Sequence, residues 1–89
     1  MSRMVARVQT MGWFSRLTHE QQRRVNRLIV STIYLELPPA KMALRSGLSK
    51  SVVQSLRSGE ISPTMGHLEK LAPLIGTSPA AVLSGEWRP

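Results

Sequence analysis

The chain has 89 residues, of which 42% are apolar and none is cysteine, so it can form one domain with a small core but neither a disulfide framework nor a thiolate metal site. Twelve Lys and Arg face five acids, all of them Glu, for a net charge of +7, a surplus that attracts polyanions. No apolar run approaches the length of a membrane span, and the opening segment lacks a continuous signal-peptide-like stretch, which leaves nucleic acid as the first partner to expect.

Residues 1–17 carry Met4, Val5, Val8 and Met11 at helix-like spacing, together with Arg3, Arg7 and Arg16. They read as a basic amino-terminal arm or extra helix ahead of a domain over 18–89. Thr18 and Gln21 have the spacing of a capping box. From there Val25, Leu28, Ile29, Ile33 and Leu37 recur at three- and four-residue steps, which predicts an amphipathic helix over 19–36. The Pro38-Pro39 pair ends it, and Pro39 suits the first turn of a second helix over 39–46 that stops at Gly47. Ser49 caps a third helix that ends before Gly59. Thr64 caps a fourth, expected to reach about Ile75, and Ser78-Pro79 opens a last short helix through Leu83. No segment reads as a strand. The expected fold is all-α, a compact five-helix bundle.

The third helix carries the strongest functional signal. On a wheel of about 100° per residue, Lys50, Ser51, Gln54, Ser55 and Ser58 fall within an arc of about 140°. Val52, Val53 and Leu56 occupy the opposite side. One side is polar and mostly short-chained, as a close approach to a surface requires; Gln can bind adenine in a bidentate manner, and Lys favours guanine acceptors. A plain solvated helix would instead show charged pairs at four-residue spacing. Ahead of it, Ala43, Gly47, Leu48, Val53 and Leu56 supply the small, glycine and apolar residues needed where two short helices cross. Residues 38–59 contain no acid, so their four bases are unopposed.

The run Ala43-Leu44-Arg45-Ser46-Gly47-Leu48-Ser49-Lys50-Ser51-Val52-Val53 resembles the turn and reading helix of the phage-repressor-like (Xre-type, lambda-repressor-like) helix-turn-helix family. Gly59, Pro63-Thr64, Leu68-Glu69-Lys70-Leu71-Ala72, Ile75-Gly76 and Ser78-Pro79 through Leu83 continue the resemblance, which covers residues 37–85. It implies a bundle that binds a palindromic double-stranded DNA operator as a homodimer, usually to repress transcription, in the cytoplasm of a bacterial or phage-infected cell. By position it implies base reading by Lys50, Ser51, Gln54 and Ser55, and places Val52 and Ser58 near phosphates. Two residues depart from the pattern. Pro39 stands where the family commonly has a phosphate-gripping Gln, a contact then lost or taken over by Lys41, Arg45 or the arm. Pro73 lies inside the fourth helix and should kink or shorten it.

Lys41, Arg45 and Arg57 are further candidates for holding phosphates, which fix register without reading sequence. The arm residues Arg3, Arg7 and Arg16 either enter an adjacent minor groove, lie along the backbone, or belong to a segment packed on the bundle or a second subunit. Trp13, Phe14, Tyr34 and Trp87 are too dispersed for a base-stacking platform and suit core or dimer packing; Val82, Leu83 and Trp87 form the expected dimer patch. His19 and His67 read as surface or capping residues, with no metal or other cofactor and no small-molecule ligand expected. Five scattered Glu without Asp or Cys offer no catalytic constellation, so an enzyme is not expected. Two other readings keep the fold: an antitoxin that represses its own operon, and a protein-binding adaptor, against which the retained basic charge argues.

Overall fold

The first helix begins where its side chains can close the backbone donors. Thr18 Oγ1 accepts from the Gln21 amide at 3.2 Å, and Gln21 Oε1 accepts from the Thr18 amide at 2.9 Å. This reciprocal cap opens α1 (His19–Tyr34) in a computed structural model that describes residues 16–89. The expectations placed on Arg3, Arg7, Trp13 and Phe14 lie outside the described residues. There follow α2 (Pro39–Ser46), α3 (Lys50–Ser58), α4 (Met65–Leu71), a 3-10 turn (Ala72–Ile75) and α5 (Pro79–Ser84). Among the described residues the fold is all-α, with one isolated antiparallel bridge between Arg16 and Thr64 that ties the segment before α1 to the start of α4.

Every helix sends apolar side chains to one core. Val25, Leu28 and Ile29 come from α1, Met42 from α2, Val53 and Leu56 from α3, Leu68 and Leu71 from α4, and Val82 from α5. Leu17, assigned to the arm by its sequence position, is also a core residue at 6% exposed. The inward stripe of α1 differs from the expected one at its last turn. Thr32 is fully buried, and Ile33 is 42% exposed. A buried hydroxyl needs a partner, and Thr32 Oγ1 finds one by donating to the Ile29 carbonyl at 2.6 Å. With that bond made, the methyl group of Thr32 can pack as a small apolar residue would.

Helix ends follow backbone chemistry closely. α1 stops at Tyr34, two residues short of the expected end, in a Schellman turn: the Glu36 amide donates to the Ile33 carbonyl at 2.9 Å and the Leu37 amide to the Thr32 carbonyl at 3.0 Å. Glu36 holds the left-handed position with φ 58°, where a side chain is strained. α4 ends at Leu71, because Pro73 has no N–H with which to continue an α-helical ladder, and the chain tightens into the 3-10 turn. The shortening expected from Pro73 is thus found, and the expected continuous fourth helix to Ile75 is not.

α4 carries a second reciprocal cap. Thr64 Oγ1 accepts from the His67 amide at 3.4 Å, and His67 Nδ1 accepts from the Thr64 amide at 3.1 Å. The imidazole can accept there only when Nδ1 is unprotonated, and burial pushes its pKa below the ordinary 6.5. The folded protein thus favours neutral His67. Stability is complete above the ordinary value and falls as the pH drops through it towards the lower folded value, because the unfolded chain takes up the proton first.

Two predictions follow from these helix ends. Glu36→Gly should raise stability by about 0.5–1 kcal/mol, and Gly47→Ala, at φ 82°, should lower it by about 1–2 kcal/mol, both read as shifts in urea midpoint at constant m-value. His67→Gln retains a residue able to cap Thr64 and removes the titration, so its stability below pH 6.5 should decline less than that of the native chain; parallel curves would refute the neutral-cap account.

Candidate nucleic-acid interface

The second and third helices meet at a corner built from short side chains and one glycine. Gly47 takes the left-handed conformation and its amide donates to the Ala43 carbonyl at 2.9 Å. Ser46 is buried, and its Oγ accepts from the Leu48 amide at 3.1 Å, so the backbone of the turn is satisfied as it leaves solvent. Ser49 then caps α3 by accepting from the Val52 amide at 3.1 Å. Leu48, Val53 and Leu56 are buried, and Ala43 packs beside them. The expected crossing of two short helices is found.

With Val53 and Leu56 held inward, the opposite side of α3 is open. Lys50, Ser51 and Gln54 are exposed, and among the described residues their side chains have no hydrogen bond or ion pair within the chain. Lys50 and Gln54 stand four residues apart, a rise of about 6 Å, or roughly two base-pair steps. Ser55 lies at the edge of this face, half-buried, and its carbonyl collects the Gly59 and Glu60 amides at the helix end. On α2, Lys41, Leu44 and Arg45 share one exposed flank through their three- and four-residue spacing. Leu44 was not singled out from the sequence. At 84% exposed it is the most open large apolar residue among those described, and its helical spacing to two bases was the available signal.

Several of the candidate residues make contacts within the chain itself. Arg57 is half-buried, and its Nη1 donates to the Leu37 carbonyl at 2.5 Å and lies 3.3 Å from Met42 Sδ. It braces α3 against the residues before α2 from a place on the wheel between Val53 and Lys50, at the border of the buried and open sides. Ser58 Oγ donates to the Ser55 carbonyl and to Glu60 Oε1, both at 3.3 Å, so a carboxylate stands where a phosphate was expected. Val52 gives its amide to the Ser49 cap and its side chain to the core. Among the dimer candidates, Val82 is 1% exposed and belongs to the core. Leu83 and Trp87 are half-covered by the same chain, and Tyr34, expected to pack, is 81% exposed. Arg16 is exposed beside its backbone bridge to Thr64.

No helix among the described residues is long and apolar enough to cross a membrane. In comparisons with known proteins, no family model matches the chain, and neither a curated protein nor a solved structure shows significant similarity to it.

The brace and the open face separate experimentally. Arg57→Ala should cost about 1–2 kcal/mol of stability in chemical unfolding, because it strips a donor from a half-buried carbonyl. Gln54→Ala, at a side chain with no partner among the described residues, should stay within about 0.5 kcal/mol of the native value.

Proposed function

We propose that the chain is a sequence-specific double-stranded DNA-binding transcriptional regulator that inserts α3 into the major groove. The observation that carries the reading is the exposed polar face of Lys50, Ser51 and Gln54, without a partner among the described residues, on a helix anchored by its buried side. A nine-residue helix, about 13 Å long, suits a groove about 12 Å wide. Gln54 reads adenine through its amide, Lys50 donates to guanine acceptors, and Ser51 and Ser55 supply short contacts at either flank. Lys41 and Arg45 hold phosphates on the flank of α2, where Pro39 offers neither a side-chain donor nor an amide. Leu44 between them meets sugar or thymine methyl surface.

In this reading two copies bind a palindromic operator with their α3 helices one duplex turn apart, about 34 Å, and repress by occupying the site. Arg3, Arg7 and Arg16 add charge along the backbone or in the neighbouring minor groove. Such a protein works on the bacterial nucleoid, in the cytoplasm. The absence of acids over residues 38–59, on both helices of the corner, supports it.

The test is to recover the genomic fragments that the purified chain retains and titrate them against scrambled duplexes across a salt series. Gln54→Ala should shrink the specific-to-scrambled ratio by about 1–3 kcal/mol and leave scrambled binding almost unchanged. Lys41→Ala and Arg45→Ala should weaken both duplexes alike and reduce the salt slope by about 1 each. Equal affinity for every sequence at every salt concentration would defeat the reading.

A further inference from the structure

Away from α3, a second surface lies open along α1. Arg23, Arg27, Val30 and Tyr34 recur at four- and three-residue steps and share one side of that helix, distinct from its buried stripe. The carboxy-terminal tail forms the facing wall with Trp87 and Arg88. Three adjoining depressions follow the seam. The first lies among Glu20, the arginines of α1 and Arg88, the second continues past Arg27 to Val30 and Tyr34, and the third runs between Tyr34, Leu35 and Trp87. The groove is therefore basic at one end and apolar at the other. From Arg23 to Leu35 it measures about 18 Å along the helix.

Part of its charge is already engaged within the chain: Arg24 Nη1 donates to the Leu83 carbonyl and its Nη2 lies 3.4 Å from Glu20. Arg23 shares the same carboxylate at 3.7 Å. Among the described residues no carboxylate comes within 4.0 Å of Arg27 or Arg88, so both keep a full positive charge beside exposed apolar surface.

We propose that this groove docks a short acidic amphipathic segment of a partner protein, with carboxylates on Arg27 and Arg88 and apolar side chains over Val30, Tyr34 and Leu35. Charge selects this occupant over the others. A second copy brings a further +7, and its five Glu stand no closer than nine residues apart, so no single helical turn of it presents paired carboxylates. The first nineteen residues of the chain contain arginines and no acid, and so match the sign of the groove instead of opposing it. DNA would satisfy the arginines but would set a polyanion against the apolar half. The proposal is independent of what α3 binds.

The test uses the full chain and three fluorescein-labelled helical peptides of about 15 residues, roughly the length of α1. One has glutamates in its first two turns and a Leu/Phe stripe in the rest, one is the same composition scrambled, and one has lysine for glutamate. Anisotropy at about 150 mM salt should show saturable binding of the first at one peptide per chain, with the others at least tenfold weaker. Arg27→Glu combined with Arg88→Glu should weaken it at least tenfold, and Tyr34→Ser severalfold. Amide shift mapping on the native chain should place the changes at Arg27, Val30, Tyr34 and Trp87, a result that needs no variant to fold. Equal binding of the scrambled peptide, indifference to the charge reversal, or shifts confined to α3 would overturn the proposal. So would a tenfold loss of DNA affinity in the double variant, which would assign the groove to DNA, or a change in its oligomeric state, which would assign it to a second copy.

Discussion

The structure depends on α3 being unable to turn about its own axis. Val53 and Leu56 are enclosed with Leu48 and Met42, and the Arg57 guanidinium reaches across to the carbonyl of Leu37, two residues before α2. Rotating α3 by one residue, about 100°, would withdraw a fully buried valine and break a hydrogen bond to a half-buried carbonyl. Those costs keep Lys50, Ser51 and Gln54 facing outward as a set. The proposed contact with base pairs would need this rigidity, since side chains that wander cannot tell one base pair from another.

A small core leaves little margin, and the fold compensates at its helix ends. Among the described residues four of the five α-helices have a side-chain amino-terminal cap, from Thr18, Ser49, Thr64 and Ser78, and the exception begins with a proline whose missing amide needs none. Among the described residues every buried side-chain nitrogen or oxygen has a partner. Thr32 and Ser46 sit inside because each bonds to nearby backbone, so they add packing without an orphaned hydroxyl.

The positive charges are divided between two tasks. Arg24 and Arg57 hold helices together by donating to backbone carbonyls, Arg24 to the last turn of α5 and Arg57 to Leu37, two residues before α2. Lys41, Arg45 and Lys50 stand on the helix-turn-helix corner, and Arg27 and Arg88 line the groove beside α1, all exposed. Net charge alone overstates what is available to a partner, because a cation spent on a carbonyl has already given up part of its hydration and its freedom.

Much of the fold was legible because it is set by local rules. Both ends of α3, the left-handed turn at Gly47 and the cap at Thr18 follow from residues within a few positions of each other, as does the break at Pro73. So does the outward face of Lys50, Ser51 and Gln54, since the helical period with two large apolar residues fixes which side is buried. Tertiary contacts alone decided what each arginine and each apolar residue meets. Arg57 and Arg45 look equivalent in a chain of letters, but one reaches a carbonyl twenty residues away and the other reaches solvent. Val82 looked like a surface for a partner but lies in the core, and Thr32 took the inward place that hydropathy gives to Ile33. The physical reason is the same in each case: burial and hydrogen bonding are shared with segments distant in sequence, and no local pattern records which of them will arrive.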